Sequence, residues 1–211
     1  KLESNFGTYN HWIYRAMKNE NKGNYLEVGP GGCELLNNFK KRGWRCEGFE
    51  LSKWIKSKNV FHDIKKITKN NKDILVFNDV LEHTVDPIKI LKRFSKFQKK
   101  GSKLFIAYPN SSSLKAKILK TRWPMVAPLA HLNFFSIDSS KILLKECGYH
   151  PITIKETSFV IFRKLIRNIL RLPITITLDM LNFRMLKAIM KGSLTAIFFC
   201  KNFMLAFKII M

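Results

Sequence analysis

Tyr25–Leu36 reads Y-L-E-V-G-P-G-G-C-E-L-L, and Glu50 closes the next apolar run, R-C-E-G-F, 21 residues after Gly29. An apolar strand that runs into glycines and then into a helix is a turn built for close backbone approach to a ligand. Without a Cβ, glycine lets backbone N–H groups reach the bound molecule. A carboxylate at the tip of the second strand accepts hydrogen bonds from two ribose hydroxyls. The spacing predicts a nucleoside-binding site at the carboxyl ends of parallel strands.

The elements around this stretch follow from periodicity and caps. Phe6–Lys18 is expected to be an amphipathic helix, and Asn24–Val28 the first strand. Glu34–Lys41 is the first helix after the turn, with Leu35, Leu36 and Phe39 on one side and Gly43 as its stop. Arg45–Phe49 is the second strand, and Ser52 is expected to cap a short helix to Lys58. Val60–Phe61, Asp73–Asn78, Lys103–Tyr108 and Pro151–Lys155 read as further strands. A helix from Asp86-Pro87 through Lys99, an irregular Ser111–Leu132 and a helix Ile137–Cys147 lie between them.

Strands alternating with helices predict an α/β, Rossmann-like fold. The expected sheet is mostly parallel and seven-stranded, with helices on both faces and Asn202–Ile210 as its closing strand. Residues 1–158 form the expected binding domain, and 159–211 a basic helical appendage or insertion. In that appendage Arg163, Lys164, Arg167, Asn168 and Arg171 form one polar arc, opposite Phe162, Leu165, Ile166 and Ile169. Such a helix either packs on its own domain or makes peripheral membrane contact through 159–172.

The 211 residues carry 38 Lys+Arg against 15 Asp+Glu, a formal charge of +23. Such a balance attracts nucleic acid, anionic lipid or anionic small molecules. The even spread of Lys and Asn is also what a biased base composition produces. Cys33, Cys46, Cys147 and Cys200 are far apart, with no C-x-x-C. That argues against a zinc ribbon or disulfide framework and fits a reducing compartment. A cytoplasmic protein is expected, with a peripheral position at the inner face of the membrane as the second expectation. Leu194–Met211, the most apolar stretch, is interrupted by Lys201, Asn202 and Lys208, so no membrane span is predicted. The chain begins at Lys1, so an initiator methionine is expected to precede it.

The acids beside the glycines narrow the ligand. A dinucleotide fingerprint needs a small third residue where the pyrophosphate meets the helix, and Glu34 stands there. Glu27 adds a second negative charge. Both disfavour a pyrophosphate, and with it a nicotinamide-dependent oxidoreductase. Both suit S-adenosylmethionine, which carries a sulfonium and an α-ammonium group.

E-V-G-P-G-G at 27–32, G-F-E-L-S at 48–52, H-D-I at 62–64 and D-I-L-V-F-N-D-V-L-E-H-T-V-D-P at 73–87 resemble the successive motifs of class I S-adenosylmethionine-dependent methyltransferases. The branch they resemble most includes ubiquinone-type O-methyltransferases; H-L-N-F-F-S at 131–136 and L-L-K-E-C-G-Y at 143–149 are similar to it as well. The resemblance covers about 20–157, with Cys33 departing where the family often has a third glycine.

The resemblance implies site roles. Glu27, Gly29 and Gly31 would line the methionine part of the cofactor, and Glu50 would hold the ribose hydroxyls. Asp63 would accept from the adenine amino group, Leu51 and Ile64 would pack near the ring, and Asn78 would close the site. His83 and His131 are the candidate bases. Ubiquinone-type relatives associate an E-x-x-E-H pattern with a divalent metal; here Asp79, Glu82 and His83 occupy it. Glu82 and His83 orienting the loop is the reading preferred, and no metal is assigned.

A methyltransferase acting on a small or medium acceptor is expected, the acceptor being membrane-associated or lipid- or glycan-linked. Two alternatives stand beside it. One is a non-catalytic module keeping the cofactor fold. The other is a nucleic-acid methyltransferase, for which Lys115, Lys117, Lys120 and Arg122 would meet phosphates. Amino-methylating members of that class resemble N/D-P-P-Y/F, and Asn78-Asp79-Val80-Leu81 departs from it.

Overall fold

The computed structural model describes residues 10–156 and 204–210. A helix, α1 (Asn10–Met17), precedes β1 (Asn24–Val28), α2 (Glu34–Lys41), β2 (Arg45–Phe49) and β3 (Val60–Phe61). Then come β4 (Lys72–Asn78), α3 (Pro87–Ser95), β5 (Gln98–Pro109), α4 (Leu114–Leu119), α5 (Ile137–Glu146) and β6 (His150–Glu156). A last strand, β7, spans Met204–Ile210.

Five strands form a parallel sheet in the order β3-β2-β1-β4-β5. The order reverses beside β1, and such a reversal opens a crevice at the carboxyl ends of the strands. On the far side β7 runs antiparallel to β5, from Lys103↔Ile210 to Pro109↔Met204, with β6 beyond it. The chain divides into two compact units, Lys1–Lys155 with Met204–Met211, and Glu156–Phe203. The predicted basic helix at 159–172 lies outside the described residues.

Alternation along β1 builds the two layers of the core. Tyr25 faces α2, its ring stacked on Phe39 at 5.3 Å with Trp44 edge-on at 6.5 Å. Leu26 and Val28 face the other way and pack with Phe77, Leu91 and Phe94 beneath α3. Central strands buried on both faces read as continuous apolar runs, which explains D-I-L-V-F-N.

Three elements differ from the sequence expectation. Ser52–Lys58 makes turns and no helix: Ser52 accepts the Trp54 N–H at 3.4 Å, but Trp54 is 90% exposed and Ile55 alone packs on the core, too little to hold further turns in place. The helix from Pro87 ends at Ser95 rather than Lys99, because Gln98 pairs with Lys72 and lengthens β5. Its start is as expected, with Asp86 accepting the Lys89 N–H at 2.8 Å. The stretch 111–132 contains α4, capped by Ser113 through the Ala116 N–H at 3.2 Å.

Candidate active site

The glycine turn sits where β1 hands over to α2. Gly29 (φ 67°) donates its N–H to Phe49 at 2.8 Å, continuing the sheet one residue further. Gly31 (φ 46°) and Cys33 (φ 59°) also lie in the left-handed region. Cys33 holds it with a side chain, a buried one, at a cost of roughly 1–2 kcal/mol. A Cβ on Gly31 or Gly32 would meet no atom within 4 Å, so this backbone faces open space in which a cofactor fits.

Glu27 takes a different position from one beside a ligand's amino-acid tail. It is 2% exposed, accepts from Tyr25 Oη at 2.8 Å and accepts the Leu36 N–H in the first turn of α2. The N-cap residue of that helix, Cys33, makes no side-chain cap bond. Glu27 supplies the missing cap from the neighbouring strand and anchors the turn from behind. Burial pushes its carboxyl up to about 7, the two hydrogen bonds acting against that shift. Glu34 is exposed on the first turn of α2, where a carboxylate complements the helix dipole.

Glu50 lies at the tip of β2. Its N–H donates to Phe61 at 3.0 Å and its carbonyl accepts from His62 Nδ1 at 2.8 Å. One carboxylate oxygen, Oε1, accepts the Ser52 N–H at 3.0 Å. Leu51 follows it, 80% exposed. Asp63 caps the turn Ile64–Lys66 through the Lys65 N–H at 2.9 Å, and Ile64 is half-buried. These groups share the β2–β3 end of the sheet, where the adenosine half of a cofactor would lie. His62, a part of H-D-I to which no role was given, ties the two strand ends together.

Asn78 ends β4, and Asp79 follows in the left-handed region (φ 52°). This turn adjoins the glycine loop: a Cβ on Gly29 would stand 2.7 Å from Val80 Cγ2. Asp79 and Glu82 form a buried carboxyl pair. The two carboxyl groups are hydrogen-bonded to each other, and no other group pairs with Asp79 Oδ1 or Glu82 Oε2. Burial, and then the charge of Asp79, hold Glu82 above the carboxylate range. Burial raises Asp79 as well, so one proton is shared between them near neutrality.

His83 and His131 meet beside this pair, ring centroids 4.8 Å apart. His83 Nδ1 lies 2.6 Å from the Ala130 carbonyl, and His131 Nδ1 lies 2.7 Å from the Met125 carbonyl. A carbonyl only accepts, so each Nδ1 carries a proton, and Nε2 is the ring nitrogen left to act as a base or ligand. Glu82, His83 and His131 offer donor atoms all within 4.8 Å of one another. Imidazoles oriented by carbonyls beside a buried carboxyl fit a divalent cation. The sequence reading placed Glu82 and His83 together; that His131 joins them emerges only from the fold.

The segment that carries His131 is bonded to the same turn. Leu132 and Asn133 donate their N–H groups to the Glu82 carbonyl at 2.7 and 3.0 Å. Asn133 Nδ2 donates to Thr84 at 2.5 Å and to Leu81 at 3.3 Å. Tyr108, near the end of β5, is core: its Oη donates to Ser140 at 2.5 Å and its ring packs on Phe135. Lys115 is buried, so the basic face keeps Lys117, Lys120 and Arg122 without it.

A model of the family described as "Methyltransferase domain" matches residues 3–154. The chain belongs to that family. It is an S-adenosylmethionine-dependent methyltransferase. No protein of curated function matches the sequence. Among solved structures, an S-adenosylmethionine-dependent methyltransferase from Archaeoglobus fulgidus is 19% identical with a TM-score of 0.55, over 74% of this chain and 76% of that one. Phosphoethanolamine N-methyltransferase 2 of Haemonchus contortus, solved with S-adenosyl-L-methionine, is 16% identical with a TM-score of 0.59. That match covers 95% of this chain and 51% of the other, so this methyltransferase spans about half of that enzyme's length. The 1,6-didemethyltoxoflavin-N1-methyltransferase of Burkholderia thailandensis is 12% identical with a TM-score of 0.53, over 70% and 68% of the two chains.

The raised carboxyls of this methyltransferase make its stability fall with pH. A carboxyl whose native pKa exceeds its unfolded one binds more protons when folded, so its contribution is complete at low pH and is lost as pH rises through the native value. For Glu27 that window runs from its ordinary value of 4.5 to about 7. Asp79 and Glu82 act in the same direction. Melting temperature is expected to fall as pH rises from about 5 to 8. Glu27→Gln is expected to flatten that slope by up to about 3 kcal/mol across the window. A series of thermal melts against pH checks it; an unchanged slope in the variant contradicts the assignment.

Proposed function

We propose that this methyltransferase acts on an oxygen or nitrogen of a small or medium molecule, membrane-associated or lipid- or glycan-linked, held between the turn after β4 and the segment carrying His131. S-adenosylmethionine supplies an already activated methyl group, so alignment of the acceptor accounts for much of the rate. Gly29 and Gly31 give the cofactor its backbone approach, and Glu50 and Asp63 hold its ribose and adenine. Leu51 and Ile64 cover its ring, and Asn78 closes the site beneath its methionine end. The observation that carries the reading is the meeting of His83 and His131, each with Nδ1 bound to a carbonyl so that Nε2 is the ring nitrogen left to act, His83 Nε2 lying 4.0 Å from Glu82 Oε1. Either removes the proton of an acceptor hydroxyl or amine as the new bond forms.

A metal reading has its own support in the donor set. Glu82, His83 and His131 would hold a divalent cation. Bound there, it would lower the pKa of a coordinated acceptor oxygen.

Methyl transfer from labelled S-adenosylmethionine into fractionated cell extract tests the proposal, with lipid, small-molecule and nucleic-acid fractions counted separately. Label is expected in the lipid or small-molecule fraction. His131→Ala is expected to lower its rate by about 10²–10⁴-fold, with cofactor binding retained. Label confined to nucleic acid, or a His131→Ala enzyme as fast as wild type, contradicts it.

A further inference from the structure

The segment between β5 and α5 carries an apolar surface that the fold leaves exposed. Leu114 and Ile118, four positions apart on α4, are 69% and 67% exposed. Leu129, in the turn that precedes His131, is fully exposed, and Leu132 and Phe134 are about half exposed. Lys117, Lys120 and Arg122 are exposed among them. No acidic residue occurs between Asp86 and Asp138, so nothing along this segment offsets those cations. The segment is also part of the active site, since it supplies His131 and is hydrogen-bonded to the Glu82 carbonyl.

We infer that this face docks on an anionic lipid surface and so presents the active site to an acceptor held there. Aliphatic side chains enter the boundary between headgroups and acyl chains, while lysine and arginine meet the headgroup phosphates. A soluble anionic acceptor accounts for the cations and leaves the leucines in water. Single-stranded nucleic acid is held by stacking on successive exposed aromatic rings, whereas this face offers one half-exposed ring, Phe134, already packed 6.5 Å from the buried Trp123. The inference rests on the proposal that the acceptor is membrane-associated.

Flotation of the full chain with vesicles of phosphatidylcholine, with and without phosphatidylglycerol, tests it. Wild type is expected to float only with the anionic vesicles. The triple variant Leu114→Gln, Ile118→Gln, Leu129→Gln is expected to lose at least about 10-fold in partitioning, as is Lys117→Gln, Lys120→Gln, Arg122→Gln. Calorimetry with S-adenosylmethionine on the same samples keeps folding and cofactor binding in view. A third variant, with Arg163, Lys164, Arg167 and Arg171 changed to Gln, is expected to keep most of its flotation. Wild type that stays at the bottom, or that binds RNA and not vesicles, overturns the inference. So do patch variants that float like wild type, including the case in which only the third variant fails. Loss of flotation with cofactor binding intact assigns the effect to docking, whereas absent cofactor binding in wild type strikes the methyltransferase reading itself.

Discussion

Glu50→Ala is expected to weaken S-adenosylmethionine binding by about 10–100-fold and to leave the melting temperature of the cofactor-free protein nearly unchanged. The carboxylate stands at a strand tip held through the Glu50 main chain, its N–H donating to the Phe61 carbonyl and its carbonyl accepting from the His62 imidazole. Truncation therefore removes an acceptor without removing the geometry around it. Hydrogen bonds to a charged group contribute about 1.5–3 kcal/mol, which sets the range. The side chain also accepts the Ser52 N–H, so part of the loss arises from a loosened loop after β2. Glu50→Gln keeps one acceptor oxygen and is expected to fall between the two. Calorimetric titration measures all three proteins. A loss below about 3-fold in the alanine variant, under 1 kcal/mol, contradicts the assignment of the ribose to this residue.

Gly29→Ala is expected to cost about 2–4 kcal/mol of stability, against about 1–2 kcal/mol for Gly31→Ala. Both glycines have positive φ, so both variants bear the penalty of a left-handed alanine. They differ in space. The new methyl at 29 would lie 2.7 Å from Val80 Cγ2, while at 31 nothing stands within 4 Å. Val80 belongs to the turn that carries Glu82 and His83, so its displacement carries a cofactor-loop change into the acceptor side. Denaturant melts give the stabilities. Adding Val80→Ala to Gly29→Ala is expected to recover the contact part and not the backbone part, a coupling that a double-mutant cycle reads directly. Equal costs at 29 and 31 contradict the contact. Gly31→Ala is also expected to weaken cofactor binding directly, because its methyl enters the open space that the proposed cofactor would occupy.

The first half of the sheet was legible because its signals are local. A strand, a glycine turn and an amphipathic helix occupy Asn24–Lys41, and each residue's role follows from its neighbours in the chain. The misreadings share a cause in tertiary competition. Ser52 has the chemistry of a cap, yet of the apolar residues after it only Ile55 packs on the core, while Trp54 stays in water. Lys96–Lys99 have helix propensity, yet Gln98 gains a partner in Lys72. Glu27 was placed beside the ligand by its nearness to the glycines; the alternation of β1 turns it toward α2. A hint was present in Cys33, a poor N-cap that leaves a helix start in need of another acceptor. The meeting of His83 with His131 had no local signal. It depends on Asn133 and two backbone N–H groups drawing a distant loop onto the turn after β4.

Titration of the wild-type chain with S-adenosylmethionine, and separately with a nicotinamide dinucleotide, tests the central claim most directly. A glycine turn with open backbone, an acid on the first turn of α2 and Glu50 at the strand tip predict saturable one-to-one binding of S-adenosylmethionine and none of the dinucleotide. Absence of S-adenosylmethionine binding, or a preference for the dinucleotide, would contradict the account.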